Sequence, residues 1–342
     1  MAEPIRIALI GAGLFAREAH VPAFNALRDR FEIAAIYSRS RDTAEKLLPH
    51  IHAGKPDIYT DLGTLLKRDD IPAVDILLPI DVQPAVIDMA FAAGKHVVSE
   101  KPIAPDVAAG KRLIRIHSNH PQQVWMVAEN FRFEPAFQRA SEVIQSGEIG
   151  KVITAQWSLY LPTRHGNPYH GTAWRRSGNF PGGFLMDGGV HHAAALRQAL
   201  GEITHVSAEY KQMLEDLKPA DTLSAVMQFA NGAIGSYTVT YAAGTPFPNY
   251  LTILGEIGAL RVSNERLDIF VGGKERSEDY SSNQNVYEEM KVFAEMIRDG
   301  KAGNASALDG LRDVAVIEAM LKSSETGRRV DVDRLTDLES VR

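Results

Sequence analysis

Apolar positions along the chain follow two rhythms. Up to about residue 125, short apolar runs alternate with helical stretches: IRIALI at Ile5–Ile10, a helix over about 14–29, FEIAAIYS from Phe31, a helix from Asp42, AVDILLPI from Ala73, a helix from about Pro84 and HVVSE from His96. Apolar runs alternating with helices are the pattern of a parallel, doubly wound sheet. Beyond VWMVAEN at 124–130 the rhythm changes, with a helix from Pro135 to Gln145 and then longer alternating segments, KVITAQWSLY, ITHVSAEYKQM, TLSAVMQFA and AIGSYTVTYA. The last two flank Asn231-Gly232, which predicts a hairpin whose two central residues take positive φ. Helices near 286–298 and 308–322 close the chain, and no repeat, low-complexity tract or long linker interrupts it. The fold class expected is α/β, with a doubly wound parallel sheet over 1–125 and an α+β domain with a mostly antiparallel sheet over 126–342.

Composition narrows the function classes. The 342 residues carry 45% apolar content, enough for two cores. A formal net charge of −6 offers no basic field for a phosphate backbone or an anionic membrane, so neither nucleic acid nor membrane is an expected partner. No apolar run reaches transmembrane length, and the amino end lacks a basic stretch before an apolar core; a soluble, unexported protein is expected, and with no cysteine a cytoplasmic location is compatible.

The first strand runs into Gly11-Ala12-Gly13-Leu14-Phe15-Ala16. Gly11 permits the tight strand-to-helix turn, Gly13 lets backbone N–H groups approach a pyrophosphate, and Ala16 lets helix and strand pack closely. The second strand ends Tyr37-Ser38-Arg39-Ser40-Arg41, with no carboxylate before Asp42 to accept from a ribose 2′-OH. Guanidinium and hydroxyl groups there suit a 2′-phosphate, which predicts NADP(H) ahead of NAD(H). Glu100-Lys101-Pro102 follows the strand at His96, and a lysine at the carboxyl end of a parallel strand points into the ligand crevice. Further on, Asp187 and His191 stand four apart in GGFLMDGGVHH, hence on one helix face, while His192 points elsewhere and reads as a core histidine. No third and fourth ligands stand at suggestive spacings, so no metal site is expected.

The turn GAGLFA, the segment AGKHVVSEKP, FRFEPAF with SGEIGKV, and WRRSGNFPGGFLMDGGVHHAAALR together resemble the glucose–fructose oxidoreductase and inositol dehydrogenase (Gfo/Idh/MocA) family over nearly the whole chain. The resemblance implies an amino-terminal Rossmann domain, then a substrate domain whose large open sheet makes homodimers or homotetramers. It implies hydride transfer between a nicotinamide cofactor and a sugar, polyol or the matching carbonyl compound. Carried over, Lys101, Asp187 and His191 become the catalytic set. The cofactor-binding positions become Gly11, Gly13, Leu14, Phe15, Ala16, Ser38, Arg39, Pro79, Gln83, Glu100, Lys101, Asn130, Trp174, Arg175 and Tyr287.

This chain also departs from the family pattern. Pro79-Ile80 and Gln83 replace the commoner Pro-Asn and His, and Ala194 stands where an Asp is frequent. In the expected mechanism Lys101 polarises the carbonyl, His191 carries the proton, and Asp187 orients His191 or accepts from a second substrate hydroxyl. Two other functions stay open: a redox sensor or scaffold that binds nicotinamide nucleotide, and reduction of a non-sugar substrate. A nucleotide-sugar pocket would draw on Arg164, His165, Arg175 and Arg176.

Overall fold

The structure, a computed structural model, describes residues 3–163, 167–281, 284–301, 303 and 305–339. Six parallel strands form the first sheet: β1 (Ile5–Ile10), β2 (Phe31–Tyr37), β3 (Asp57–Tyr59), β4 (Ala73–Ile76), β5 (His96–Glu100) and β6 (Trp125–Ala128). Their spatial order is β3-β2-β1-β4-β5-β6. The order reverses between β1 and β4, which opens a crevice at their carboxyl ends. Strand β3 goes beyond the expected pattern. It has only three residues, half-exposed at the sheet edge, so no apolar run marks it.

Nine strands build the second sheet: β7 (Val152–Tyr160), β8 (Ile203–Lys211), β9 (Thr222–Phe229), β10 (Ile234–Thr240), β11 (Leu251–Gly255), β12 (Gly258–Val262), β13 (Arg266–Val271), β14 (Lys274–Asp279) and β15 (Val330–Asp331). The order is β14-β13-β12-β11-β7-β10-β9-β8-β15, antiparallel except where β10 runs beside β7. Helices Pro135–Gln145, Phe184–Leu200 and Ala307–Thr326 cover one face. Strand residues on the other face, among them Val226, Ile234 and Leu254, are exposed.

Two expectations need correction. The β9–β10 hairpin forms at Asn231-Gly232, but only Gly232 has positive φ, at 89°. Phe229 N–H donates to the Ala233 carbonyl across a three-residue loop, and the Asn231 amide is spent on the Leu200 carbonyl. The loop is therefore one residue longer than the tight turn that an Asn-Gly pair favours. The helix expected over about 14–29 is interrupted by a π-helical turn at Ala16–His20 before Val21–Ala26. Such a turn shifts side-chain phase, and it brings His20 fully inside.

The helix Asn285–Asp299 packs on the first sheet's side of the molecule. Its Val286, Met290, Phe293 and Ala294 join Ile7, Phe24 and Phe31 in one buried cluster, with Phe293 stacked on Phe31 at 6.3 Å between ring centres. A late segment thus completes an early core.

Candidate active site at the sheet switch point

The glycine turn has the geometry of a pyrophosphate cradle. Gly11 has φ of +120°, and a Cβ there would stand 2.3 Å from the Leu77 carbonyl oxygen, so the turn admits no side chain. Gly13 is exposed, with nothing within 4 Å of where its Cβ would be, which leaves room for a ligand against the backbone. Ala16 is buried under the turn, Leu14 is half-exposed, and Phe15 packs edge-on to His20 at 5.2 Å. At the end of β2 the Arg39 side chain is exposed and makes no ion pair among the described residues, whereas Arg41 is tied to Glu45 at 2.9 Å. Ser38 Oγ accepts from Ser40 N–H at 3.4 Å. A free guanidinium beside a hydroxyl fits a 2′-phosphate.

Strand β5 ends at Glu100, and the next peptide, Lys101–Pro102, is cis. The buried Gln83 donates its amide to the carbonyls of Glu100 and Pro102 at 2.7 and 3.0 Å, gripping the chain on both sides of Lys101. Gln83 therefore braces the lysine turn. The carbonyl of Pro79 caps that helix start, accepting from the N–H groups of Val82 and Gln83. Glu100 turns its carboxylate onto His20 at 2.9 Å.

Lys101 Nζ donates to the Asp187 carbonyl at 2.8 Å and to Asp187 Oδ1 at 3.0 Å. Asp187 Oδ2 accepts from Arg175 Nε at 2.7 Å. Burial alone would raise the Asp187 carboxyl, but the Lys101 and Arg175 charges outweigh it and hold the group well below the usual carboxylate range. Arg175 is fixed in turn, with its guanidinium over the Trp174 ring at 4.2 Å and the Tyr169 ring at 5.1 Å, and one Nη on Thr172. Asp187 thus anchors two cations.

His191 follows one turn later on the same helix, as expected from the spacing, but Asp187 does not hold it. Its Nδ1 meets Glu129 Oε1 at 2.5 Å, and its ring stacks on Phe131 at 4.8 Å. Burial would raise Glu129, yet His191, Lys101 and Arg132 keep it ionised and below its ordinary value. Glu129 is the member of this site that the motifs do not mark. It stands at the carboxyl end of β6, next to the strand that presents Lys101, and that position was the available signal. His192 is a core histidine as expected: it bonds the Tyr237 hydroxyl at 2.7 Å, and burial pushes it down to about 3.

Of the remaining positions, Asn130 opens the 3₁₀ turn Asn130–Phe133 between Glu129 and Phe131. Trp174 packs on Phe180 at 5.7 Å, and Tyr287 is partly buried against the core cluster that Asn285–Asp299 completes. Arg176 sits on the short helix Ala173–Arg176 with Arg175. Arg164 and His165 lie outside the described residues. Ala194 is fully buried. Among the described residues no group of three His, Asp or Glu side chains could hold a metal ion, and no helix is long and apolar enough to cross a membrane.

A doubly wound sheet with an open glycine cradle, and beside it a lysine and a histidine each held by a buried carboxylate, defines a two-domain oxidoreductase that binds a nicotinamide dinucleotide. Residues 5–129 match the model of the oxidoreductase family NAD-binding Rossmann fold, and 141–332 match its C-terminal alpha/beta domain. The chain belongs to the Gfo/Idh/MocA family. It is 34% identical to Dehydrogenase FPY6 of Fusarium mangiferae, over 94% of this chain and 96% of that one. It is 28% identical to a D-apiose dehydrogenase of Rhizobium rhizogenes, covering 95% and 96%. An oxidoreductase crystal structure from Thermotoga maritima superposes with a TM-score of 0.90 at 35% identity, covering 96% and 98% of the two chains.

Proposed function

We propose that this protein is an NADP(H)-dependent dehydrogenase or reductase acting on a CH–OH group of a sugar, polyol or the corresponding carbonyl compound. The observation that carries the reading is the pairing of Lys101 with Asp187 while His191, one turn along the same helix face, is held by Glu129. Two proton-handling groups on different elements are thus each held by a buried carboxylate. The sugar class follows the D-apiose dehydrogenase relative, and the NADP(H) preference rests on the free Arg39.

Gly11, Gly13 and Ala16 would seat the pyrophosphate, and Ser38 with Arg39 the 2′-phosphate. The bound nicotinamide supplies the hydride donor or acceptor. In reduction, the Lys101 ammonium polarises the substrate carbonyl and stabilises the developing alkoxide, while His191 delivers a proton to that oxygen; in oxidation both roles reverse. Asp187 sets the direction of Lys101, and Glu129 holds His191 by Nδ1, which leaves Nε2 to face the substrate in this reading. In the same reading residues 1–125 form the nucleotide domain and 126–342 the substrate domain. The protein is cytoplasmic and assembles as a homodimer or homotetramer through the open sheet face.

The test is reduced-nicotinamide absorbance against a panel of sugars, polyols and their keto forms, with the Lys101→Ala variant alongside. Loss of a charge-stabilising donor should lower kcat by roughly 100- to 1000-fold, with NADPH affinity retained. Unchanged turnover in the variant would overturn the assignment of Lys101. Intact NADPH binding without turnover on any panel member would favour a sensor or a non-sugar substrate.

A further inference from the structure

Behind the Lys101 and His191 pair lies a buried group of acids that the mechanism above leaves unused. His20 is fully buried, with Nδ1 on Asp75 at 2.8 Å and Nε2 on Glu100 at 2.9 Å. Glu289 is 1% exposed and has no hydrogen bond or ion pair among the described residues, with its Oε1 buried and unpartnered. Its helix, Asn285–Asp299, packs against the π-turn carrying His20, against β6, and against the 3₁₀ turn that follows Glu129. Glu289 lies within reach of the charges of His20, Glu100 and Asp75 and of that of Glu129, and so stands between the two halves of the site. Buried oxygens of Asp75 and Glu129 also lack donors.

An isolated carboxyl in such a place costs stability whichever form it takes, and least as the neutral acid. Every other charge in reach is committed. His20 is held between two carboxylates, Arg132 is turned to Asp313, and Arg17 and Glu18 pair with each other at the surface. Helix Val21–Ala26 and β6 carry no titratable side chain.

We propose that Glu289 is the proton-relay residue of this site, a neutral carboxyl that exchanges the reaction's proton between the His191–Glu129 pair and the His20–Glu100 pair beside Lys101. In oxidation the substrate hydroxyl gives its proton to His191 Nε2 as its carbon loses hydride to the nicotinamide. His191 passes its Nδ1 proton to Glu129, Glu129 protonates Glu289 on one oxygen as Glu289 releases its own proton from the other, and that proton leaves through Glu100. One proton enters and one leaves, and reduction runs the same path backwards. Neither partner is in hydrogen-bond contact with Glu289, so each transfer needs rotation of its side chain or one bridging water. Glu100 is a suitable exit because its side chain is 12% exposed while His20 is wholly enclosed. Burial, reinforced by the surrounding carboxylates against the pull of His20, raises Glu289 well above an ordinary glutamate.

The inference rests on His191 as the proton carrier, and its test separates the two. Glu289→Gln keeps size and polarity but cannot carry a proton. It is expected to lower kcat by about tenfold, leave the KM for cofactor unchanged, and enlarge the solvent deuterium isotope effect. In the cofactor-free protein near pH 8, where Glu134 is largely ionised, it should also remove an infrared carbonyl band of a neutral carboxylic acid. Unchanged kcat and isotope effect, or a lower Tm with an unmoved pH profile, would overturn the relay. Full turnover in His191→Asn would instead remove the reading beneath it. Should the Gln variant fail to fold, wild-type protein with carboxyl-labelled glutamate decides: no neutral glutamate band near pH 8 ends the proposal.

Discussion

Asp187 and Arg39 show opposite uses of one charge. Asp187 is saturated by Lys101 and Arg175, so its carboxylate works as a fixed post. Arg39 is exposed at the end of β2 with no ion pair among the described residues, and in the proposed function it meets the 2′-phosphate. Arg39→Ala should therefore weaken NADPH by about 10- to 100-fold, the worth of one charge-assisted phosphate contact, and NADH little. Fluorescence titration with both nucleotides checks this, and equal losses would remove the phosphate reading. At this scale the sequence announced Lys101, Asp187 and His191 by strand-end position and helical spacing. It did not announce who pairs with whom. Glu129 and His191 are 62 residues apart, and Gln83 grips the Lys101 turn from 17 away, so those pairings exist only once β4, β5 and β6 lie side by side.

Among the elements, the glycine turn separates two roles that the motif runs together. Gly11→Ala would force a Cβ onto the Leu77 carbonyl at positive φ, and should cost roughly 1–3 kcal/mol of stability, seen as a lower Tm. Gly13→Ala meets no protein atom, and should leave Tm unchanged while weakening the nucleotide in a binding titration. The start of helix Pro135–Gln145 carries a different device. Glu134 accepts from Asn285 Nδ2 at 2.6 Å, but burial pushes its carboxyl up to about 7, with Glu265 adding to the shift and the Asn285 bond opposing it. Because the folded value lies above the unfolded one, its favourable contribution is complete below the unfolded value and is lost as pH rises through about 7. Glu134→Gln should thus gain stability relative to wild type between about pH 5 and about pH 8, as thermal unfolding across that range would show. Elements with clear periodicity, such as Pro135–Gln145, were legible to the residue. β3 and β11 to β14 were not: each has only three to six residues, too few to set a period, and β14 has no apolar residue at all.

For the whole molecule, the nine-stranded sheet leaves one face uncovered. Across it Leu254, Thr154, Ile234 and Gln228 form one row, and Val226 lies in another with Ser236 and Gln156. Val226 and Ile234 are 58% and 57% exposed in the single chain, a mixed apolar and hydroxyl surface suited to a second copy. Val226→Glu with Ile234→Glu should reduce the mass in light scattering to that of one chain while the protein stays folded; an unchanged mass would place the interface elsewhere. The core completed by helix Asn285–Asp299 has a consequence for synthesis. Phe24, Phe31 and Ile7 leave the ribosome more than 250 residues ahead of Phe293, which stacks on Phe31 in their cluster. At common elongation rates the nascent nucleotide-binding half waits on the order of 10 to 50 s with that apolar surface bare, a window in which chaperones rather than its own chain must shield it.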